Sequence, residues 1–332
     1  MINTIMYHYV RNNEEYDYDC YCRRITEFES QVDFLRKRSD IIDPKDIDKV
    51  NYFLKNDSVS GYILSFDDGY KDHLYCAKYL ESIDSNGVFF PSLVSTNGDL
   101  LEVNGIHILI GLRNIKQSEI LDFVIQAVKD NDYLIKKNGE VINIDDYFSI
   151  EHENRHDKND SVIFIKRLLQ KDIVGLENRK KIINEGLNTF YNQKENDIAR
   201  NLYLSKVELI KMREMGMLIG SHGLTHRWLN TLSYEEQFNE IVNSFIEFEK
   251  LNIYISGLPK VFCYPYGVYD ENTLKICNEA RISYSFTDDL NNCGITIKDK
   301  SHSNYMYQLS RWDTNDYWNS EWRRPKQHNA KF

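Results

Sequence analysis

Two adjacent aspartates follow an apolar run near residue 65. Residues 61–66 (GYILSF) predict a short buried strand, which ends at Asp67, Asp68 and Gly69. Adjacent like charges repel each other, so the pair needs a compensating charge, and a bound metal ion is the usual one. One carboxylate would then be a ligand, and the other would be free to move protons. The alternative is an ordinary turn, because Asp-Asp-Gly is also common turn chemistry.

Two histidines follow a second apolar run. Residues 217–220 (MLIG) predict another strand, and His222 and His226 come after it, four residues apart. One helical turn or a tight loop can direct both imidazoles at one ion. With one carboxylate they form a ligand set familiar for zinc, iron, cobalt or nickel, with positions left for water and substrate. The alternative is a pair of surface histidines on a polar loop.

Strands alternate with amphipathic helices along most of the chain, which predicts a mostly parallel sheet. A third apolar strand ends in the proline-containing loop 264–267 (YPYG), whose alternative interpretation is an aromatic turn. Capping-box patterns predict helices that begin at Thr26, Ser205 and Ser233, and Asp270 is expected to cap another. All three polar clusters fall at the carboxyl ends of strands, where a β/α barrel has its active site.

The three clusters, in this order, resemble the motifs of the polysaccharide deacetylase family, the carbohydrate esterases with a NodB-type homology domain. The matching segments are 65–69 (SFDDG), 221–226 (SHGLTH) and 264–267 (YPYG). The start at 5–10 (IMYHYV) and the end at 309–313 (LSRWD) are similar to the family branch that begins Met-Tyr-His. The resemblance implies an α/β fold, a distorted (β/α)7-type barrel of the NodB-homology kind, with a helical insertion.

The resemblance also implies a role for each matching residue. Asp68, His222 and His226 would hold a divalent metal, Zn²⁺ first, with Co²⁺, Ni²⁺ or Mn²⁺ as alternatives. Asp67 would be the general base, and the backbone around Tyr266 would bind the oxyanion. The residues expected to bind substrate are His8, Tyr264, Pro265 and Asp313.

The chain departs from the family pattern in its proton donor. Many members carry a late Leu-x-His whose histidine is the general acid, and this chain has Arg311 at that place. Either Asp67 performs both proton transfers, or another group supplies the proton. We place Arg311 in the catalytic group, where it would orient Asp67 or hold an anionic group of the substrate. The only trace of the family's acid-orienting motif is 287–290 (TDDL).

The length of 332 residues suits one catalytic domain over 1–332, and the polar, helix-rich segment 100–201 interrupts its pattern. We interpret that segment as an insertion that caps the barrel mouth. Within it, 151–157 (EHENRHD) is interpreted as a solvated loop, with a second metal site as the alternative. The net charge of −10 argues against a nucleic-acid partner. Neither a signal peptide nor a membrane span is evident, and the scattered cysteines imply no disulfide framework, so we expect a cytoplasmic protein.

These observations predict a metal-dependent carbohydrate deacetylase. Its substrate would be an N-acetylated sugar, nucleotide-linked or lipid-linked, in surface polysaccharide biosynthesis. Two alternatives remain open at this point: a non-catalytic carbohydrate-binding protein with a deacetylase fold, and a deacylase for O-acetyl or formyl groups. The sequence does not indicate the oligomeric state.

Overall fold

The computed structural model describes residues 2–56, 58–153, 160–288 and 304–314. Its strands are β1 (Ile2–Tyr7), β2 (Tyr9–Val10), β3 (Cys22–Arg23), β4 (Asp40–Ile41), β5 (Gly61–Asp67), β6 (Val88–Phe90), β7 (Ile135–Lys137), β8 (Glu140–Ile142), β9 (Leu218–Ile219), β10 (Val261–Cys263), β11 (Tyr284–Thr287) and β12 (Leu309–Asp313). Its α-helices are Ile25–Arg38, Ile47–Lys55, His73–Ser82, Leu93–Thr96, Glu102–Gly111, Gln117–Asp130, Ile144–Glu153, Asp160–Arg167, Leu176–Gly186, Glu195–Leu202, Lys206–Glu214, Tyr234–Phe238, Ser244–Lys250 and Glu271–Glu279. Within these ranges, no helix has both the length and the apolar character needed to cross a bilayer.

The chain forms two compact units, and the first is a parallel barrel. This unit takes the described residues of 1–12, 21–98 and 200–332. Its main sheet has the strand order β10-β11-β12-β1-β5-β6-β9, and β4 pairs with the start of β5. Ser221, just after β9, closes the ring: its N–H donates to Val261 O at 3.0 Å, and Cys263 N–H donates to Ser221 O at 2.9 Å. The predicted α/β barrel of the (β/α)7 type is confirmed.

Side chains of β5 alternate between the two sides of the barrel wall. Tyr62, Leu64 and Phe66 belong to the apolar cluster that packs against the surrounding helices. Ile63 belongs instead to the cluster inside the barrel, with apolar side chains of β6, β9, β10, β11 and β12. By the same alternation Asp67 faces the interior, at the carboxyl end of its strand.

Several predicted helix starts are confirmed, and one is wrong. Ser205, Ser233 and Asp270 accept hydrogen bonds from backbone N–H groups three residues later, at 3.3, 3.3 and 3.0 Å. Thr26 is not a cap, because the helix begins one residue earlier and Arg24 is its N-cap. Glu27 still satisfies a free N–H, because its carboxylate accepts from Arg24 N at 3.0 Å.

The second unit comprises residues 13–20 and the described residues of 99–199. It is mainly helical, with the antiparallel pair β7–β8. Residues 13–20 lie outside the insertion predicted from the sequence. They are joined to it through Asp19, whose N–H donates to Gly111 O at 2.8 Å. That this unit caps the barrel mouth stays a prediction.

The segment predicted as a solvated loop begins in a buried ion-pair network. Glu151 is only 4% exposed, and its carboxylate lies 2.6 Å from Lys137 Nζ. Lys137 also binds Asp172 at 3.1 Å. The solvated-loop interpretation is therefore wrong for Glu151, because these partners compensate its charge. Residues 154–157 lie outside the described residues, as does most of the alternative second metal site.

Gly220 occupies the seam where the barrel closes, between β9 and Ser221. A Cβ at this position would lie 2.6 Å from Val261 O and would also clash with the Phe90 ring. We expect Gly220→Ala to destabilise the protein by about 1–3 kcal/mol, because the strands must separate to accept the methyl group. Thermal unfolding measures the change. Lys78→Ala, on an exposed helix surface, is the control and should stay within about 0.5 kcal/mol of the parent. Equal effects of the two substitutions would contradict the expectation.

Candidate active site

A left-handed turn brings the two adjacent carboxylates to the same place. β5 ends at Asp67, and Asp68 and Gly69 have φ angles of 69° and 72°. Regular alternation would send Asp68 to the opposite side of the barrel wall from Asp67. The turn reverses that direction, and both carboxylates come close to His222. Aspartate and glycine are among the residues that adopt this conformation most readily.

Asp68, His222 and His226 form a buried cluster of metal-ligand atoms. Asp68 Oδ1 lies 3.7 Å from His222 Nε2 and 3.4 Å from His226 Nε2. One ligand atom from each residue lies within 4.8 Å of the others. The histidines lie in the loop after β9 rather than on a helix, and His226 has a φ of 58°. One carboxylate and two imidazoles at this spacing suit Zn²⁺ and similar divalent ions, so the residues present fit a metal.

Buried hydrogen bonds fix the histidine loop. His222 Nδ1 lies 2.8 Å from Cys263 O, so donation there leaves Nε2 as the free lone pair that faces Asp68. Burial, and then the neighbouring His226, lower the pKa of His222 to about 4, which keeps the imidazole neutral at pH 7. Glu240, in a π-helical turn, accepts from Thr225 N at 2.9 Å, and Ser221 donates to Ser244 at 2.6 Å. The loop is therefore anchored from two sides.

Asp67 is held by an arginine from the last described strand. Arg311 is fully buried, and its Nη1 donates to Asp67 Oδ1 at 2.7 Å. Its Nη2 donates to Asp288 Oδ1, also at 2.7 Å, so one guanidinium joins two carboxylates. Burial raises the pKa of Asp67, but Arg311 and His222 outweigh burial and hold it below its usual range. Sequence reasoning did not assign Asp288 a role, although it lies in the 287–290 segment; Asp289 and Leu290 lie outside the described residues.

His8 and Cys263 lie near the other oxygen of Asp67. His8 Nε2 is 3.9 Å from Asp67 Oδ2, and about a third of its side chain is exposed. Burial lowers the pKa of His8, but the carboxylates of Asp67, Asp68 and Asp313 outweigh burial and raise it. Cys263 Sγ is 3.7 Å from Asp67 Oδ2, a contact that sequence reasoning missed. The alternation of β10 could have found it, because Cys263 shares the interior side with Val261.

Tyr266 borders the site, whereas Tyr264 does not. Tyr266 has a φ of 58°, its ring centroid is 4.8 Å from that of His226, and it stacks on Trp228 at 4.3 Å. Tyr264 belongs to the helix-facing core, and its buried phenol donates to Tyr307 O at 2.9 Å. The substrate-binding role predicted for the Tyr264 side chain gains no support from this position. Pro265 is also buried, at the start of the 3₁₀ turn Pro265–Gly267.

Zinc binding tests the assignment of the ligands. We expect the metal-free protein to bind one zinc ion, and His222→Ala to weaken that binding sharply, because it removes one of three protein ligands. Competition with a chromophoric chelator measures both affinities. His107→Ala, in the second unit, is the control and should bind zinc as the parent does. Equal affinities of the two variants would remove His222 from the site.

Comparison with known proteins gives one family match and several remote structural likenesses. Residues 185–285 match the family described as Polysaccharide deacetylase. A search of curated proteins found no match. The chain is similar to the deacetylase PplD of Streptococcus pyogenes in complex with acetate, with 14% identity, 95% of this chain and 93% of that chain covered, and a TM-score of 0.49. For IcaB from Ammonifex degensii the identity is 13%, the coverages are 94% and 91%, and the TM-score is 0.49. The family match, which includes His222, His226 and Tyr266, confirms the predicted resemblance to polysaccharide deacetylases.

Proposed function

We propose that this protein is a metal-dependent hydrolase that removes the acetyl group from an N-acetylated sugar. The family match supports carbohydrate deacetylation. The observation that carries the proposal is that the two adjacent carboxylates have different partners. Asp68 lies with His222 and His226, whereas Asp67 is bound by Arg311 and stays available as a base. A metal-ligand group beside a separate base suits metal-assisted hydrolysis of an amide.

Asp68, His222 and His226 would hold the metal, with Zn²⁺ as the first candidate and Co²⁺, Ni²⁺ or Mn²⁺ as alternatives. When bound, such an ion supplies a Lewis acid for the acetyl carbonyl and lowers the pKa of water. His222 contributes a neutral imidazole, because its pKa is about 4. Burial raises the pKa of Asp68, but the histidines outweigh burial and hold it well below its usual range. An ionised Asp68 and a neutral His222 are the forms that bind a metal.

Asp67 would accept the proton of the attacking water. Arg311 binds Oδ1 and leaves Oδ2 on the side of His8 and Cys263. We propose that Asp67 then returns the proton to the leaving amine, so that one carboxylate performs both transfers. The backbone N–H of Tyr266 would donate to the developing oxyanion.

The sugar would lie against the partly exposed side chains around this centre. His8 and Asp313 are partly exposed at the carboxyl ends of neighbouring strands, and both are proposed to bind its polar groups. The stacked rings of Tyr266 and Trp228 offer an aromatic face of the kind that packs against sugar rings. From the sequence-based expectation of a cytoplasmic protein, we propose a nucleotide-linked or lipid-linked sugar of surface polysaccharide biosynthesis.

Acetate release tests the proposed activity. The zinc-loaded protein is incubated with N-acetylated nucleotide sugars and with matched O-acetyl and N-formyl compounds. Release of acetate from the N-acetyl compounds is the expected result. Preference for the O-acetyl or formyl compounds would replace the proposal by a deacylase of that group. Sugar binding without turnover, in protein that holds its metal, would indicate a carbohydrate-binding protein.

The two aspartates should respond differently to the same substitution. We expect Asp67→Asn to keep the metal and lose turnover by about a hundredfold to ten-thousandfold, because an amide cannot accept the proton. Asp68→Asn should instead weaken the metal, because a neutral amide is a poorer ligand. Zinc content and acetate release are measured for both variants. Full activity in Asp67→Asn would remove the base from this scheme, and equal metal loss would mean that both carboxylates are ligands.

Arg311 should affect turnover without affecting metal content. Arg311→Lys keeps the charge but replaces the planar guanidinium, whose Nη1 and Nη2 donate to Asp67 and Asp288, by a single ammonium nitrogen. We expect kcat to fall about 10–100-fold, as for other residues that orient a functional group, with zinc stoichiometry unchanged. Arg36→Lys, on an exposed helix surface, is the matched control and should be silent. A parent-like kcat in Arg311→Lys would show that charge alone suffices.

A further inference from the structure

The two oxygens of Asp68 have different partners. Oδ1 is the atom that faces His222 and His226. Oδ2 accepts a hydrogen bond from the phenol of Tyr70 at 2.6 Å, and both residues are buried. One oxygen is thus directed at the candidate metal position, and the other is engaged away from it.

The ring of Tyr70 is itself fixed by packing. Tyr9 stacks on it with a centroid distance of 4.1 Å and an interplanar angle of 25°. The guanidinium of Arg11 lies 4.6 Å from the Tyr9 centroid, and Arg11 Nε donates to Asp72 Oδ2 at 2.6 Å. The stack therefore ends on a buried ion pair, which limits movement of both rings.

The backbone on either side of Tyr70 is also held. Leu204 N donates to Gly69 O at 2.9 Å, and Lys71 N donates to Leu202 O at 2.8 Å. Tyr70 therefore forms an isolated antiparallel bridge with Tyr203 of the same chain, and the next helix begins only at His73. A short rigid segment, rather than a helix end, presents the phenol to Asp68.

We infer that Tyr70 is a positioning residue for the metal, because its hydrogen bond to Oδ2 restricts Asp68 to binding through Oδ1 alone. This inference rests on the proposed function, since it concerns the same metal position. A carboxylate free to rotate could bind through both oxygens and occupy a position that water and substrate need. Hydrogen bonds of this kind from groups behind the ligands orient them and raise metal affinity.

Zinc titration of Tyr70→Phe tests the inference. Competition with a chromophoric chelator should show about 10–100-fold weaker zinc binding than in the parent, the usual effect of losing such a partner. Tyr7→Phe is the matched control: it removes a buried hydroxyl that has no hydrogen-bond partner among the described residues, and its zinc affinity should equal that of the parent. Thermal unfolding of the metal-free proteins shows whether each variant is folded.

Cobalt(II) supplies a readout that a merely structural role would not change. At saturating Co²⁺ the visible absorption reports the coordination geometry, and we expect the bands of Tyr70→Phe to differ from those of the parent. Tyr9→Leu keeps the phenol of Tyr70 but removes the ring that packs on it. We expect a smaller loss of zinc affinity than in Tyr70→Phe. This second variant tests the same contact if Tyr70→Phe does not fold.

The outcomes separate this inference from the proposed function. A parent protein that binds neither zinc nor cobalt would overturn both. A parent that binds zinc, with unchanged affinity and an unchanged cobalt spectrum in the folded Tyr70 and Tyr9 variants, would overturn the role of Tyr70 alone. Weaker zinc binding with altered cobalt bands in Tyr70→Phe, and parent-like behaviour of Tyr7→Phe, would support it.

Discussion

Two adjacent carboxylates are buried together, and the rest of the site follows from how their charges are compensated. Removing an ionised carboxylate from water costs several kcal/mol unless a partner replaces the solvent. Asp67 has Arg311, which is fully buried and reaches the site from the last described strand. Asp68 has the phenol of Tyr70 on one oxygen and the two histidines beside the other. Because the partners differ, two chemically identical neighbours can have different roles.

Backbone conformation separates those roles in space. Asp68, His226 and Tyr266 all have φ angles in the left-handed region, at 69°, 58° and 58°. Each such residue other than glycine costs about 1 kcal/mol or more, so the surrounding contacts must hold it. Two of those contacts are the hydrogen bond from Thr225 N to the Glu240 carboxylate, which holds the histidine loop, and the stacking of Tyr266 on Trp228. Strain of this kind concentrates where side chains must point in directions that a regular element would not allow.

The barrel converts distance along the chain into proximity. β12 pairs with β1, and β1 pairs with β5, so Arg311 and Asp67 face each other across the interior although 244 positions separate them. Closure through Ser221 brings β10 beside the histidine loop, and Cys263 O then accepts from His222. The functional groups meet because parallel strands end at the same rim.

The sequence by itself determined the fold class and the residue types of the candidate site, because short-range patterns encode both. Alternating strands and helices predicted a mostly parallel sheet, and the resemblance to the deacetylase family implied the barrel. The polar clusters at strand ends included Asp67, Asp68, His222 and His226. Only the tertiary structure decided the partners. Tyr264 and Tyr266 flank the same proline, and both were predicted to take part in the site. Alternation buries Tyr264 in the helix-facing core, whereas a left-handed turn places Tyr266 beside His226. The pairing of Arg311 with Asp67 and Asp288, and of Tyr70 with Asp68, depends on strand register and on one reversed backbone direction. No local sequence pattern specifies either.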